Sequence, residues 1–463
     1  MAWLRDIGRR MIFKSRQCHR QTERSIQAKL SLLLEAEKLS SESLQNVHEE
    51  YMSNLLMHAY KHVPYYRHVF NSSGLIDGNG KLNLGDFNKI PLLDKRIIRE
   101  QADDLKSDIL IDSEINFNTS GGSTGEPVKL IQDKNYFNWL MAVKFNYDRW
   151  SGYIPGAGRA LLWGSERDLF AGGLSFKVRL MRWLNNELWM NTFCLTPEKM
   201  NSYVDKINTL KPTQILAYVE SAYEFSKYID QHDLKIHSPR SVMTSAGTLY
   251  PHMRAKIEQI FQAPVFNRYG SREVGDIACE CEYHNGLHVC PLTHHVEVLR
   301  SDGTPVEVGE VGEVIVTLLS NYAMPLIRYR IGDLAVRGES VCKCGNKWPM
   351  LEKITGRVTD TFRTRDGAQV HGEYFTHLFY FKDWVEKFQV IQEGFDSVKV
   401  LIILSDKSEA QESYAADIAG INEKIRMVLG DSCQVEYDYV DAIAPASSGK
   451  YRYTISKIDA TKV

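Results

Sequence analysis

The chain has 463 residues, enough for roughly two or three domains of about 100–200 residues each. Its composition, 43% hydrophobic and 25% charged, excludes a disordered chain or a fibre. The formal net charge of −2 excludes the strongly basic surface of a general nucleic-acid-binding protein. No segment approaches the ~20 apolar residues of a membrane span, and the N-terminus lacks the apolar run of a secretory signal. We therefore predict a cytoplasmic protein with no nucleic-acid partner; oligomeric state is left open.

The N-terminal segment, residues 1–24, is rich in basic side chains and carries only two acidic ones, Asp6 and Glu23. Apolar residues recur within it at roughly helical spacing: Trp3, Leu4, Ile7, Met11 and Ile12. Two interpretations stay open. One is a first helix that docks its apolar stripe on the body of the protein, and the other is a surface helix in weak peripheral contact with anionic lipid.

The next part of the chain predicts helices that then alternate with short strands. A helical pattern covers residues 25–70, and Pro64 is expected to end or kink it. Short apolar runs predict buried strands at residues 160–163, 215–218 and 241–245. A helix beginning near Pro197 is expected between the first two of these strands, and another beginning at Pro251 is expected after the last. This alternation predicts an α/β body with a largely parallel sheet.

The later part of the chain predicts a smaller, β-rich unit and then a separate C-terminal domain. A β-branched run at residues 313–319 is typical of a smaller β-rich unit, and a further strand and helix are predicted at 398–404 and 416–429. We predict a large N-terminal domain, residues 1–358, of parallel sheets with helices and a small β unit. A small, mobile α+β C-terminal domain, residues 359–463, would follow.

The densest cluster of small polar residues is Ser120-Gly121-Gly122-Ser123-Thr124-Gly125. Glycines let backbone amides approach phosphate oxygens without obstruction by a Cβ atom, and the hydroxyls add donors that can rotate. The cluster lacks the Gly-Lys-Ser/Thr ending of a Walker loop. Taken alone it is also compatible with a plain flexible turn.

Four further motifs follow the glycine-rich cluster, and together with it they carry a family resemblance. They are Asn267-Arg268-Tyr269-Gly270-Ser271-Arg272-Glu273, Arg328-Tyr329-Arg330-Ile331-Gly332-Asp333, Gly356-Arg357-Val358-Thr359-Asp360 and Ser447-Ser448-Gly449-Lys450-Tyr451-Arg452. In this order and spacing they resemble the adenylate-forming superfamily of acyl-CoA synthetases, luciferase-like enzymes and peptide-synthetase adenylation domains.

Two N-terminal motifs narrow the resemblance to one branch. They are His62-Val63-Pro64-Tyr65-Tyr66-Arg67 and Ile90-Pro91-Leu92-Leu93-Asp94-Lys95. They are similar to signatures of the phenylacetate–CoA ligases, and within that branch to the capsular-polysaccharide CapK-like proteins. The resemblance runs from about residue 50 to residue 457.

The resemblance implies ATP as a substrate and gives each motif a role. Ser123 and Thr124 would hold the β- and γ-phosphates, Tyr269 would lie along the adenine, and Glu273 would bind Mg²⁺. Asp333 would accept hydrogen bonds from both ribose hydroxyls. The remaining implied nucleotide contacts are Ser120, Gly121, Gly122, Gly125, Ser245, Ala246, Gly247, Asn267, Arg268, Gly270 and Ser271.

The resemblance also implies that the C-terminal domain supplies catalysis. Lys450 would bridge the attacking carboxylate and the α-phosphate, and Asp360 would be the hinge on which the small domain turns. Arg357 fits either an AMP contact or a salt bridge near the hinge. Without their neighbouring motifs, Glu273 and Asp333 would be interpreted as surface carboxylates and Lys450 as a solvated loop residue.

Five of the eight cysteines lie between residues 279 and 344, among histidines. In a chain without a signal peptide this clustering favours a metal site over disulfides. We predict a structural Zn²⁺ site at Cys281, His288, Cys342 and Cys344, with His284 and Cys279 as substitute ligands. The alternative is a set of reduced, buried cysteines without metal.

Three functions remain open from the sequence. The first is ATP-dependent activation of a carboxylic acid followed by transfer to CoA. The second is the same adenylation with transfer of an acyl or aminoacyl group to a sugar, lipid or carrier protein in surface-polysaccharide assembly. The third is a zinc-stabilised scaffold without catalysis. The acid pocket is expected near Trp163, Tyr218 and Ala246, and its aromatic residues favour an aromatic acid.

Overall fold

The computed structural model describes residues 21–110, 114–119, 128–164, 176–192, 194–300, 302–339, 341–355, 361–379, 382–405, 414–443 and 453–458. The strands are β1 (Ile115–Thr119), β2 (Lys129–Asp133), β3 (Arg159–Trp163), β4 (Glu187–Asn191), β5 (Cys194–Leu195), β6 (Gln214–Tyr218), β7 (Ser241–Ser245), β8 (Val265–Ser271), β9 (Gly275–Glu280), β10 (Leu287–Val289), β11 (His294–Leu299), β12 (Val311–Leu318), β13 (Tyr329–Arg337), β14 (Met350–Ile354), β15 (Thr361–Arg363), β16 (Gln369–His371), β17 (Val385–Gly394), β18 (Ser397–Leu404), β19 (Gln434–Tyr439) and β20 (Thr454–Ser456). The helices are α1 (Gln21–Ala36), α2 (Ser41–His62), α3 (Pro64–Ser73), a 3₁₀ helix (Leu84–Lys89), α4 (Lys95–Glu100), α5 (Lys134–Trp150), α6 (Phe176–Leu184), α7 (Pro197–Leu210), α8 (Val219–Gln231), α9 (Pro251–Phe261), α10 (Gly372–Phe379) and α11 (Ala415–Leu429).

The N-terminal helical pattern forms three helices, α1 to α3. Ser40 caps α2 by accepting a hydrogen bond from the backbone N–H of Ser43. Pro64 occupies the first turn of α3, where its missing N–H costs no hydrogen bond, and Gly74 ends that helix in the left-handed conformation. The predicted break at Pro64 is confirmed, and the break before Ser40 is an additional one. None of the described helices is both long and apolar enough to cross a bilayer.

One sheet of eleven strands organises most of the large domain, in the order β11-β12-β13-β14-β10-β9-β8-β7-β6-β3-β4. Strands β4, β3, β6, β7 and β8 are parallel, and the pairings from β8 to β11 are antiparallel. The predicted α/β class is confirmed. The sheet is mixed rather than largely parallel, because a tight turn between β8 and β9 reverses the chain.

The parallel half of the sheet is buried between helices. Ile215, Val242 and Val265 have no exposed surface and pack with residues of α7, α8 and α9. Continuous apolar strands of this kind are expected where helices cover both faces of a parallel sheet. The carboxyl ends of β3, β6, β7 and β8 therefore meet at one edge of the sheet.

The smaller C-terminal domain contains a separate four-stranded sheet in the order β19-β18-β17-β20. The β-branched residues Val390, Val400 and Ile402 are fully buried beneath α11 and α10. Strand β16 pairs with β5 of the large domain, so the two domains share a short three-stranded sheet with β15. The predicted boundary between residues 358 and 359 lies outside the described residues.

Candidate nucleotide and metal sites

The carboxyl edge of the parallel strands gathers residues from several of the sequence motifs. Ser245 ends β7 and is buried, and Ala246 follows it with φ 63°. A non-glycine residue with positive φ stores local strain, which persists where the surrounding structure holds it. At the neighbouring strand ends, the rings of Trp163 and Tyr218 lie 4.2 Å apart, centroid to centroid. This aromatic pair lies at the edge of the sheet where the acid pocket is predicted.

Tyr269 and Asp333 come from different motifs and meet in the structure. The Tyr269 hydroxyl on β8 donates a hydrogen bond to Oδ2 of Asp333 on β13, at 2.9 Å. Both side chains are buried. A carboxylate has about four lone-pair positions, so Asp333 can accept further hydroxyl donors beside Tyr269. The interpretation of Asp333 as a surface carboxylate is thus wrong.

Glu273 is also buried, and its carboxylate faces a lysine. Lys95 Nζ lies 3.4 Å from Glu273 Oε1, and the two side chains are only 9% and 3% exposed. A buried carboxylate next to a buried cation is held by mutual attraction that compensates for lost hydration. Lys95 belongs to an N-terminal motif, but its role was not predicted from the sequence.

Contacts made by Arg328 and Leu93 position Lys95 next to Glu273. The Arg328 guanidinium donates to both carboxylate oxygens of Glu297 and to the carbonyl oxygens of Asn88 and Ile90. Leu93 pairs with the start of β13, donating from its N–H to Arg328 O at 2.9 Å. Two motifs far apart in sequence are therefore joined, and α4 begins with Lys95 beside Glu273.

The glycine-rich cluster connects β1 and β2, whose ends are tied to the Glu273 segment. The side-chain amide of Asn118 donates to the carbonyl oxygen of Arg272 at 3.0 Å, and Gln132 donates to the same oxygen at 3.4 Å. Residues 120–127 themselves lie outside the described part of the chain. The two strands that bracket them are nevertheless fixed next to Glu273.

Several predicted nucleotide contacts in β8 have structural roles. Arg268 pairs with Asp276 at 3.5 Å, and Ser271 Oγ accepts a hydrogen bond from Val274 N–H. A Cβ atom on Gly270 would lie 2.4 Å from the carbonyl oxygen of Gly275, so glycine is required where β8 and β9 approach closely.

Asn267 is held from the opposite strand by a buried carboxylate. Glu280 accepts hydrogen bonds from the Asn267 backbone N–H at 2.9 Å and from the Arg254 guanidinium. Burial alone would raise the pKa of Glu280, but hydrogen bonds from His284 and Arg254 lower it. The carboxylate therefore stays ionised and clamps β8, the strand that carries Tyr269, to β9.

The four predicted zinc ligands lie close together, and the first of them, Cys281, directly follows Glu280. The Sγ atoms of Cys281 and Cys342 lie 3.6 Å apart, and Cys344 Sγ lies 3.4 Å from His288 Nε2. All four ligand atoms lie within 4.8 Å of one another. Tetrahedral coordination at ordinary Zn–S and Zn–N lengths would place sulfurs about 3.8 Å apart and sulfur and nitrogen about 3.6 Å apart. The residues present fit a zinc ion.

The protonation states of these ligands agree with a metal site. Burial lowers the pKa of His288 to about 4, so its imidazole is neutral and can bind metal near neutral pH. Burial raises the pKa of Cys281 and of Cys344, so a metal ion would have to displace thiol protons on binding. The neutral thiols alone would also be stable in this buried position.

Cys279 and His284, the two predicted substitute ligands, make other contacts. Cys279 is fully buried in a hydrophobic cluster with Trp139 and Phe266. His284 Nδ1 lies 3.1 Å from Glu280 Oε2. Among the described residues, the group able to hold a metal consists of the four predicted first-choice ligands.

Comparison with known proteins supports the motif-based resemblance. Residues 362–457 match the CapK C-terminal domain. The chain is 22% identical to the protein CapK of Staphylococcus aureus, with 90% of this chain and 89% of CapK covered. It is 24% identical to the phenylacetate-coenzyme A ligase of Escherichia coli, with 89% and 95% covered. The corresponding ligase of Thermus thermophilus is 26% identical, with 73% and 75% covered.

The chain is similar in sequence to CapK and to phenylacetate–CoA ligases, and similar in fold to a solved acyl-CoA ligase. Solved 2-hydroxyisobutyryl-CoA ligase in its thioesterification state has the same fold, with a TM-score of 0.60, 19% identity and 91% of each chain covered. An open conformation of that ligase gives a TM-score of 0.56, with 20% identity and coverage of 92% and 93%. The predicted resemblance to the adenylate-forming superfamily, and within it to CapK and the phenylacetate–CoA ligases, is confirmed, as is the predicted adenylate-forming ligase class.

The structure describes only some of the predicted catalytic and nucleotide-binding residues. Glu273, Tyr269, Asp333 and the segment 245–247 are described and lie at or near the carboxyl edge of the sheet. The phosphate loop with Thr124, Arg357, the hinge at Asp360 and Lys450 lie outside the described residues. Their roles remain predictions.

Proposed function

We propose that the chain is an ATP-dependent ligase that converts a carboxylic acid to an acyl or aryl adenylate and then transfers the acyl group to CoA. The observation that carries this proposal is the hydrogen-bonded pair of Tyr269 and Asp333. Its two members come from the superfamily's nucleotide-binding motifs. The buried Glu273, next to the ends of β1 and β2, adds a carboxylate suited to Mg²⁺ beside a phosphate-binding loop.

In the first step, a carboxylate oxygen of the acid attacks the α-phosphorus of ATP. The bond between the α-phosphorus and the oxygen bridging to the β-phosphate breaks, and pyrophosphate leaves. Asp333 holds the ribose, while Ser123 and Thr124 position the departing phosphates. Lys450 places a positive charge where negative charge accumulates in the transition state. Bound Mg²⁺ would neutralise phosphate charge, and Glu273 would hold it.

In the second step, the thiol of CoA attacks the carbonyl carbon of the adenylate. The bond from that carbon to the phosphate oxygen breaks, AMP leaves, and the thiol proton passes to solvent. The test is to incubate the protein with ATP, Mg²⁺ and an active acid, with and without CoA. A thioester that forms only with CoA supports this acceptor, and an adenylate consumed only by another acceptor would replace it.

A second proposal keeps the first step and changes the acceptor. Transfer to a sugar, lipid or carrier protein in surface-polysaccharide assembly is favoured by the CapK C-terminal domain match, which covers the small domain. It is also favoured by similarity to CapK over nine-tenths of the chain. A non-catalytic scaffold is the remaining alternative, and it predicts no pyrophosphate exchange at all.

We propose aryl acids as the first substrate class to test. The Trp163–Tyr218 pair lies at the carboxyl edge of the sheet, and an aromatic ring prefers offset or edge contacts with other rings. Tyr218 also packs in the hydrophobic cluster of the small domain. The acid pocket would therefore be completed by both domains.

We propose that Cys281, His288, Cys342 and Cys344 bind a structural zinc ion. The first two ligands belong to the β9–β10 hairpin and the last two precede β14, so the ion would tie these strands together. Because β9 clamps β8 through Glu280, zinc would stabilise the strand that carries Tyr269.

Replacing Cys342 with serine is expected to remove stoichiometric zinc and lower the melting temperature by at least about 5 °C, because a structural metal contributes directly to folding free energy. Metal analysis by mass spectrometry and thermal unfolding are the measurements. Cys433→Ser is the matched control, since Cys433 is equally buried but lies in the small domain. Wild-type protein purified without zinc, with the same stability after zinc addition, would contradict the site.

A further inference from the structure

Helix α6, Phe176–Leu184, exposes apolar side chains. Val178 is 39% exposed, Leu180 42%, Met181 39% and Trp183 50%. A helix on the surface of a globular protein ordinarily turns such residues toward the core. Leu180 and Trp183 are three residues apart and share one face of the helix, and large apolar side chains exposed on one face are typical of an interaction surface.

The charges of α6 are all of one sign. Its sequence, FKVRLMRWL, contains three basic residues and no acidic residue. The Arg182 guanidinium lies 4.4 Å from the ring centroid of Trp189 on β4, so this cation faces the protein. Arg179 is exposed beside the apolar side chains. The surface presented to solvent is therefore apolar, aromatic and cationic together.

We propose that α6 is an interfacial helix that docks the protein on an anionic lipid bilayer. Leu180, Met181 and Trp183 would enter the boundary between headgroups and acyl chains, and Arg179 would contact lipid phosphates. Tryptophan is well suited to this boundary because its ring is apolar and its N–H is polar. The proposal does not depend on the proposed reaction.

A second copy of the chain is a less suitable partner for this surface. In a two-fold symmetric dimer the same patch meets itself, so cations at Arg179 would lie close to those of the partner copy. Like charges brought together at an interface oppose association. Anionic headgroups complement the same charges, and the lipid surface also accepts the apolar side chains.

The test is co-sedimentation of the full chain with phosphatidylglycerol–phosphatidylcholine vesicles and with phosphatidylcholine vesicles. Wild-type protein should partition onto the anionic vesicles, and the double variant Leu180→Ser/Trp183→Ser should lower the partition coefficient by at least about tenfold. Arg179→Glu should lower it without altering the helix's apolar residues. Ile154→Ser is the control, because Ile154 is an apolar residue outside α6 that is even more exposed than Trp183.

A spectroscopic measurement locates the contact. Brominated lipids should quench part of the tryptophan fluorescence of the wild type, and Trp183→Phe should remove that part while the protein still binds. Unchanged thermal unfolding of Arg179→Glu and of Leu180→Ser/Trp183→Ser shows that both helix variants remain folded. Equal partitioning of wild type and both helix variants would overturn the proposal, as would equal binding to neutral vesicles. Lipid-free dimerisation abolished by Leu180→Ser/Trp183→Ser would replace the bilayer with a second copy.

Discussion

Replacing Asp333 with asparagine is expected to raise the Kd for ATP by about 10²-fold, because one oxygen replaces two acceptors and the negative charge is lost. Hydrogen bonds to charged groups contribute about 1.5–3 kcal/mol each. Loss of one or two such bonds to the ribose therefore accounts for the expected hundredfold change. The buried amide still accepts a hydrogen bond from Tyr269. ATP binding by calorimetry, with and without Mg²⁺, is the measurement.

Tyr269→Phe is the matched control for that experiment. It removes the 2.9 Å hydrogen bond to Asp333 but leaves both carboxylate oxygens, so ATP affinity should fall much less than in Asp333→Asn. The comparison separates positioning of the carboxylate from its direct contact with nucleotide. Equal ATP affinity in Asp333→Asn and wild type would remove Asp333 from the nucleotide site.

Replacing Glu273 with glutamine is expected to lower the rate of adenylation by at least about 10²-fold at saturating ATP, since a charged Mg²⁺ ligand is lost. The same change removes the carboxylate charge that lies 3.4 Å from the buried Nζ of Lys95. Breaking a buried ion pair in this way costs about 3–5 kcal/mol of stability. Activity and the free energy of unfolding should therefore fall together.

The double variant Lys95→Met/Glu273→Gln separates these two effects. Removing both charges restores most of the stability, because replacing a buried pair by uncharged side chains is often close to neutral. Adenylation should remain low, since the carboxylate is still absent. Wild-type adenylation in a stable double variant would show that Glu273 serves only the buried pair.

Local structure was predictable where short-range rules decide it. The strands ending at Trp163, Tyr218 and Ser245 follow from short apolar runs, and the helices beginning at Pro197 and Pro251 follow from the preference for proline in a first turn. The mixed sheet was not anticipated because pairing direction depends on connections. The tight turn before Gly275, whose φ is 80°, forces β9 to run antiparallel to β8.

The candidate site was predictable in composition but not in contacts. Motif order indicated Tyr269, Asp333 and Glu273, yet nothing local in the sequence pairs Lys95 with Glu273. That pairing depends on Leu93 joining the start of β13, a long-range contact. The fold also distinguishes the cysteines. Strand β9 ends at Glu280, so Cys281 begins the turn toward His288, while Cys279 stays within the strand and packs in a hydrophobic cluster.

The central claim is most directly tested by acid-dependent ATP–pyrophosphate exchange with Mg²⁺, across aryl, fatty and amino acids. The proposed ligase should catalyse exchange with one acid class, and Lys450→Ala should lower that rate by at least about 10²-fold, because it removes the charge that stabilises the transition state. Folded, zinc-replete protein that neither binds ATP nor exchanges pyrophosphate with any of these acids would contradict it.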